Sequence, residues 1–162
     1  MTLSLGYDIG SSSIKCAVLD CESGKTIALG VYPAEEMEIR SPKPGWAEQD
    51  PELWWQYVTT LTQQLLRKNN IDPSLVKSIG ISYQMHGLVL VDNQQRVLRP
   101  SIIWCDSRAV DIGHAAFAAL GADYCLQHLL NSPGNFTASK LRWVKENEPD
   151  IFRKVHKAML PG

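Results

Sequence analysis

Apolar and polar positions alternate at the start of the chain. Leu3-Ser4-Leu5-Gly6-Tyr7 sets an apolar or aromatic side chain at every second position, the two-residue period of a half-buried strand. Ile14-Lys15-Cys16-Ala17-Val18-Leu19 is a second run of this kind. Thr26 to Tyr32 is a third, after the turn residues Glu22-Ser23-Gly24-Lys25. The joining segments are short, which predicts an antiparallel meander. The period then changes. A polar stretch from Glu35 to Gly45, with Pro42 and Pro44 near its end, reads as loop. After Asp50-Pro51, which suit a helix cap and a first helical position, Trp54, Tyr57, Val58, Leu61 and Leu65 recur at three- and four-residue steps. That is one buried helix face, with Trp54 and Trp55 expected to pack, and it fades at Lys68-Asn69-Asn70.

Val76 to Tyr83 and Leu88 to Val91 read as further strands, the second closed by the turn Asp92-Asn93-Gln94-Gln95. Arg108 to Leu120 is alanine-rich and helical in character up to Gly121, and Asp123 to Leu130 continues as a second short helix. Thr137 is placed to cap a helix over Ala138 to Glu146, ended by Pro149. One or two turns follow over Asp150 to Val155, then Lys157 to Leu160 is extended, with an unpaired edge expected. Strands, a long crossover helix and more strands predict an α/β layer arrangement. No repeat, low-complexity tract or internal boundary interrupts it.

Composition narrows this picture. The chain has 162 residues, 44% hydrophobic and 20% charged, with a formal net charge of -1. That is ordinary for one globular domain. It gives no basic surplus for nucleic acid or an anionic membrane surface. No run approaches the roughly 20 apolar residues of a membrane span, and no leader peptide is evident because Asp8 interrupts the early apolar stretch. The expected location is cytoplasmic. Four cysteines, Cys16, Cys21, Cys105 and Cys125, are widely spaced, so no disulfide framework is expected. Cys16 reads as a small core residue.

Three polar clusters interrupt the apolar runs. The first is Asp8-Ile9-Gly10-Ser11-Ser12-Ser13, between the first two strands. Glycine allows close approach of backbone to a ligand, turn N–H groups and hydroxyls can surround a phosphate, and a carboxylate suits magnesium. A plain Gly/Ser turn is the alternative. Neither a P-loop nor a dinucleotide loop is present. The second is Gln84-Met85-His86-Gly87, at the carboxyl end of a strand, where α/β sheets bind ligands; a structural or solvated histidine is the alternative. The third is Trp104-Cys105-Asp106-Ser107-Arg108. Asp106 and Arg108 could clamp a polyol, accepting from and donating to its hydroxyls, or form a cap and ion pair at the next helix. Trp46, in a polar loop, covers either a core edge or a ligand.

Taken in order, these clusters resemble the amino-terminal part of the FGGY carbohydrate kinases. Asp8 to Lys15 is similar to that family's first phosphate motif. Pro44-Gly45-Trp46-Ala47-Glu48-Gln49-Asp50-Pro51, followed by Trp54-Trp55, is similar to its loop-to-helix passage. Gln84-Met85-His86-Gly87 resembles the sugar-side turn of its D-xylulose-phosphorylating branch. Ile103 to Arg108 resembles a Trp-Asn-Asp-x-Arg segment. Phe136 to Trp143 with Glu146-Asn147-Glu148-Pro149 resembles a further stretch. The likeness runs from about Leu5 to Pro161.

The resemblance implies a ribonuclease H-like, actin-like ATPase fold. Residues 1–162 would be part of the amino-terminal domain, a mixed sheet with flanking helices, with the rest of that domain and a second domain outside them. It implies ATP and Mg2+ as cofactors and a small-molecule sugar as partner, no nucleic acid and no membrane, and it leaves a homodimer open. By the same likeness Asp8 would position magnesium, and Ser12, Ser13 and Lys15 would face phosphates. Met85 and His86 would line the sugar pocket, Trp104 would wall it, and Asp106 and Arg108 would orient hydroxyls. Transfer would take the γ-phosphoryl group of ATP to the terminal hydroxyl of D-xylulose. Cys105 stands where the family usually has asparagine. The family's general base lies beyond Gly162, so these 162 residues alone are expected not to catalyse transfer. Two alternatives remain, a kinase of the same family for another ketose or polyol, and a non-catalytic sugar-binding module on the kinase fold. An Hsp70- or actin-like ATPase would not explain the sugar-side segments.

Overall fold

The alternation at the start of the chain becomes a sheet. In the structure, a computed structural model describing all 162 residues, Leu3–Ile9 (β1), Ile14–Asp20 (β2) and Thr26–Tyr32 (β3) form the expected antiparallel meander. The chain divides into two compact units, one of Met1–Glu38, Glu52–Gln84 and Gly162, the other of Ile39–Pro51 and Met85–Pro161. An undivided chain was the expectation from sequence. The division leaves no linker composition because ordered loop and helix carry the chain across each boundary.

In the first unit Pro51–Lys68 (α1) leads to Val76–Tyr83 (β5), which adds parallel to β1 and gives the strand order β3-β2-β1-β5. The sheet is therefore mixed, with a flanking helix, as expected. Leu3, Leu5, Tyr7 and Ile9 of β1 and Ile14, Cys16 and Val18 of β2 are buried, as are Trp54, Leu61 and Leu65 of α1. The helix rides close over β3: a β-carbon at Gly30 would lie 2.8 Å from Leu61 Cδ1. The Tyr7 hydroxyl meets Thr62 Oγ1 at 2.6 Å, and the Tyr32 and Tyr57 rings meet edge to face at 5.1 Å. Trp55 departs from expectation: it is exposed, because one residue on from Trp54 turns it about 100° away from the buried stripe.

The second unit is built on very short strands. Glu48–Gln49 (β4) pairs antiparallel with Ser101–Ile102 (β7), and Val89–Val91 (β6) pairs antiparallel with Lys157–Met159 (β8). The first pair is too short to leave a period in the sequence. In the second, β8 is paired along one side only, so the open edge expected at the terminal extended segment remains on its other side. Helices Val110–Leu120 (α2), Ala122–His128 (α3), Thr137–Asn147 (α4) and Pro149–Phe152 (α5) complete the unit. Its core gathers Leu88, Leu90, Ile102 and Val144, with Leu98, Leu141, Trp143, Ile151, Phe152 and Val155 against it. One helix-end reading changes. Thr137 makes no cap; its hydroxyl donates instead to the Gly87 carbonyl at 3.3 Å. Pro149 follows the end of α4 as expected and also opens α5, because its missing N–H costs nothing at a first helical position.

All four cysteines are free thiols, and Cys16 is buried in the sheet core as expected. No helix is long and apolar enough to cross a membrane.

Gly113 of α2 packs against the Pro133–Asn135 turn so closely that a β-carbon would lie 2.3 Å from Gly134 Cα and 2.4 Å from the Pro133 carbonyl oxygen. Both are backbone atoms, so the helix must move. Gly113→Ala should therefore destabilise the protein by about 1–3 kcal/mol or more, measured by urea unfolding. Gly6→Ala, with nothing within 4 Å of its β-carbon, should leave the unfolding midpoint nearly unchanged. Equal midpoints for both would contradict the close packing at α2.

Candidate functional site

The first unit contributes the β1–β2 turn. Gly10 N–H donates to the Ser13 carbonyl at 3.2 Å, closing the hairpin, and Met37 N–H donates to the Ser12 carbonyl at 2.9 Å. Ser12 is exposed, with Ser11 and Ser13 half-buried. Asp8 and Lys15 are register partners across the two strands, and Lys15 Nζ lies 3.0 Å from Asp8 Oδ2 with both side chains about half exposed. So Asp8, Ser12, Ser13 and Lys15, four of the residues singled out in the sequence, share one hairpin end. No group of three or more His, Cys, Asp or Glu residues that could hold a metal exists in the chain. A lone carboxylate still suits magnesium, which keeps several waters and takes one or two carboxylates together with substrate phosphates.

The second unit contributes two loops. Met85 is 65% exposed. His86 is half-buried and has a φ of 60°, the left-handed region where a β-carbon is crowded. Three contacts hold it there. Its ring stacks on Phe136 at 5.0 Å with the planes 18° apart. Its carbonyl accepts from Lys140 Nζ at 2.7 Å, and the next carbonyl, of Gly87, accepts from Thr137. Burial first, and the Lys140 charge second, hold the His86 imidazole below the usual histidine range, so at neutral pH the ring is uncharged and carries one donor and one acceptor.

Trp104 is 46% exposed, and its carbonyl accepts a hydrogen bond from Asn135 Nδ2. Cys105 is exposed, and partial desolvation pushes its thiol up. Asp106 and Arg108 are different: their side chains are about 0% and 1% exposed. Asp106 Oδ2 accepts from Ala47 N–H at 2.6 Å, and its two oxygens take Arg108 Nε and Nη2 at 2.7–3.0 Å. The Arg108 guanidinium lies 3.7 Å from the Trp46 ring centroid and 5.0 Å from that of Trp143. Trp46 therefore covers a core edge. The geometry gives the Asp106–Arg108 pair the work of joining loops, with its hydrogen-bonding capacity turned inward.

The pair belongs to a larger charge cluster that sequence reading missed. Glu48 Oε1 bridges Arg108 Nη2, at 2.8 Å, and Arg99 Nη2. Arg99 Nη1 reaches Glu148 Oε2 at 2.7 Å. Burial pulls the Arg99 guanidinium below its usual range, and the carboxylates of Glu148 and Glu48 work against that pull. Lys140 was missed as well. It is fully buried, donates to the His86 carbonyl and, at 3.2 Å, to the Asn135 carbonyl. Its signal was available: Lys140 and Val144 are four apart on the core side of α4, and a lysine on an apolar stripe needs a reason. Asn135 thus ties the Trp104 loop, and Lys140 the Met85–His86 turn, to the start of α4.

Residues 3–162 match the family model described as the FGGY family of carbohydrate kinases, N-terminal domain. The chain belongs to this family. The xylulose kinase of Escherichia coli K12 is 40% identical over 157 residues, which cover 97% of this chain and 31% of that protein. The crystal structure of a xyloylose kinase from Brucella ovis superposes with a TM-score of 0.82 at 37% identity, covering 98% of this chain and 32% of that one. A gluconate kinase from Lactobacillus acidophilus superposes equally well, with a TM-score of 0.83 at 26% identity, over 99% of this chain and 31% of that one. The chain spans about a third of the length of these FGGY kinases.

Asp106→Asn removes the two-oxygen partner of the buried Arg108 guanidinium and leaves it paired with Glu48, which should cost about 3 kcal/mol in urea unfolding. Met85→Ala removes an exposed side chain and should change stability by about 0.5 kcal/mol or less. An Asp106→Asn protein as stable as the parent would show that the buried pair does not hold the loops.

Proposed function

We propose that this chain is the sugar-binding part of an ATP-dependent xylulokinase, whose whole gene product converts D-xylulose and ATP to D-xylulose 5-phosphate and ADP. The observation that carries the reading is the Gln84-Met85-His86-Gly87 turn. It presents an exposed thioether and an uncharged imidazole from a backbone held in a conformation that costs energy. The xylulose kinases of Escherichia coli and Klebsiella pneumoniae, 40% and 36% identical over 97% of the chain, support the choice of sugar.

The terminal hydroxyl oxygen of the ketose forms a bond to the γ-phosphorus, the bond from that phosphorus to the β-bridging oxygen breaks, and the hydroxyl proton leaves to a general base. Alignment and dispersal of charge over the transferring oxygens are what such a site must supply. His86 binds ketose hydroxyls through the donor and acceptor of its neutral ring, Met85 contributes apolar contact, and Trp104 offers its ring as a wall. Asp106 and Arg108 keep the Trp104 loop in place. Asp8, Ser12, Ser13 and Lys15 would hold the phosphates and their ion, the carboxylate toward Mg2+ and the ammonium and hydroxyls toward phosphate oxygens. Bound Mg-ATP supplies the electrophilic phosphoryl group and neutralises its charge. None of this chain's acidic residues is assigned as the base.

A kinase for another sugar acid, ketose or polyol is the second reading, favoured by the gluconate kinase superposition. A coupled assay of ADP release by the full gene product, with D-xylulose, D-ribulose, glycerol and D-gluconate side by side, separates the two. D-xylulose should lead in kcat/KM by about tenfold or more, the scale set by leaving polar groups of a site unpaired with the wrong substrate. Preference for gluconate or glycerol would sink the assignment. Residues 1–162 alone should release no ADP above background.

The acid limb of the KM for D-xylulose gives a second check. Because the His86 pKa is lowered from 6.5, KM should stay flat from neutral pH to about 6.5 and rise only below it, as the ring gains a proton and loses its acceptor. The sign for stability agrees, since below the ordinary value the unfolded chain binds more protons than the folded one and stability is lost as pH falls. A KM that already rises above pH 7 on acidification would contradict a role for the neutral ring.

A further inference from the structure

The Met85–His86 turn and the Trp104 loop come from different parts of the chain, yet both are fastened to the start of α4. Lys140 is the side chain common to the two attachments. It is the largest of the fully buried side chains and carries an ammonium. Its acceptors are two backbone carbonyls, those of His86 at 2.7 Å and Asn135 at 3.2 Å, with no carboxylate in ion-pair contact. Asn135 in turn donates to the Trp104 carbonyl. Burying a lysine ammonium is costly unless hydrogen bonds and counter-charge compensate it. Methionine or leucine would fill the space beside Val144, and neither could hold the His86 carbonyl where a left-handed φ of 60° turns it.

The charge balance points the same way. Glu48, Asp106 and Glu148 face Arg99 and Arg108, so the cluster carries one excess negative charge. Asp106 is the carboxylate whose field most favours the Lys140 ammonium. Lys140 therefore takes its acceptors from the ligand-side loops while drawing its compensation from the charge cluster that holds the Trp104–Arg108 loop.

We propose that Lys140 is the positioning residue of the sugar site, its protonated ammonium fixing the His86 turn and, through Asn135, the Trp104 loop in the ketose-binding arrangement. This rests on the assignment of Met85, His86 and Trp104 to sugar binding. Lys140 does not touch the sugar; it acts through the carbonyls it holds.

The consequence is an alkaline limb in sugar affinity. Burial lowers the Lys140 pKa from 10.5 to about 8, opposed by Asp106 and Cys105 and reinforced by Arg108. As pH rises through about 8 the charge-assisted hydrogen bonds become ordinary ones, roughly half as strong. Affinity for the ketose then falls. Global stability moves the opposite way: between about 8 and 10.5 the unfolded chain binds more protons than the folded one, so this group makes the protein more stable as pH rises. Loosening of the turn and loss of the fold are thus distinguished by sign.

The test uses the full gene product and first establishes which sugar of the four-member panel it phosphorylates. With that sugar, Lys140→Met should raise KM about tenfold, the loss expected when charged hydrogen bonds to the turn are removed. The kcat at saturating sugar should change far less. The wild-type rise in KM through pH 8 should be absent in Lys140→Met and retained in Cys105→Ala, which removes the neighbouring thiol whose pKa burial raises. A Lys140→Met enzyme with wild-type KM, or with the alkaline limb intact, overturns the proposal. If Lys140→Met does not fold, the wild-type protein carries the test. By reciprocity, sugar that binds the fastened turn more tightly must raise the Lys140 pKa, read by NMR titration of the lysine ε-carbons with and without the sugar. An unmoved pKa overturns the proposal. Phosphorylation of another panel sugar in place of D-xylulose removes the xylulokinase reading while leaving Lys140 to be judged on that sugar; an enzyme inert to the whole panel overturns both.

Discussion

Removing a guanidinium group from water is expensive, and the second unit does it twice, at Arg99 and Arg108. The cost is offset only because Glu48, Asp106 and Glu148 reach them with hydrogen-bonding geometry and because the Trp46 and Trp143 rings cover Arg108. The participants come from β4, the approach to β7, the loop before α2 and the start of α5. Strands of two or three residues could not hold such distant segments together by their ladders alone. The short β4–β7 pair persists because Glu48 lies on it, and the loop carrying Trp104 is held in place because Asp106 fastens it to Ala47. The placement of the Trp104 loop is therefore an outward consequence of inward-facing charge.

How legible this was in the sequence follows the length scale of each signal. The two-residue alternation of β1, β2 and β3 and the three- and four-residue steps of α1 span enough residues to define a period, so the first unit was readable almost to its ends. Trp55 differs from the expectation because one position beyond Trp54 turns it off the buried stripe. In the second unit β4 and β7 carry two residues each, and two residues cannot show a period. What determines their pairing is a carboxylate meeting guanidiniums about fifty residues away, and such a partnership has no local signature. The same limit applies to Asp106 and Arg108. Their types and spacing fit a polyol clamp and a structural pair equally, and only burial separates them. Lys140 was legible in principle, as a cation on an apolar stripe, but its two carbonyl acceptors were not.

The two units also differ in how they can serve chemistry. The β1–β2 hairpin presents charge at the surface, where Asp8 and Lys15 neutralise one another and water competes for both. That arrangement can reorganise at modest cost when an anion and its ion arrive, since exposed pairs contribute little. The Met85–His86 turn and the Trp104 loop are the opposite case, with a left-handed residue, a stacked ring and a buried donor fixing them. A polyol offers only neutral hydroxyls, each worth little against water, so selectivity between similar sugars must come from fixed geometry.

The antiparallel pairing of β6 with β8 has a consequence for how the chain is made. Every strand of the first unit has been synthesised once Tyr83 is added. In contrast, β4 appears early and waits for β7, and β6 waits for β8, nearly seventy residues later. During that interval the apolar Val89-Leu90-Val91 segment has an unsatisfied edge in a nascent chain, where such edges invite wrong pairing. Synthesis of residues 92–156 therefore sets the period during which the second unit is most exposed to misassembly, and the arrival of Lys157 to Met159 closes it.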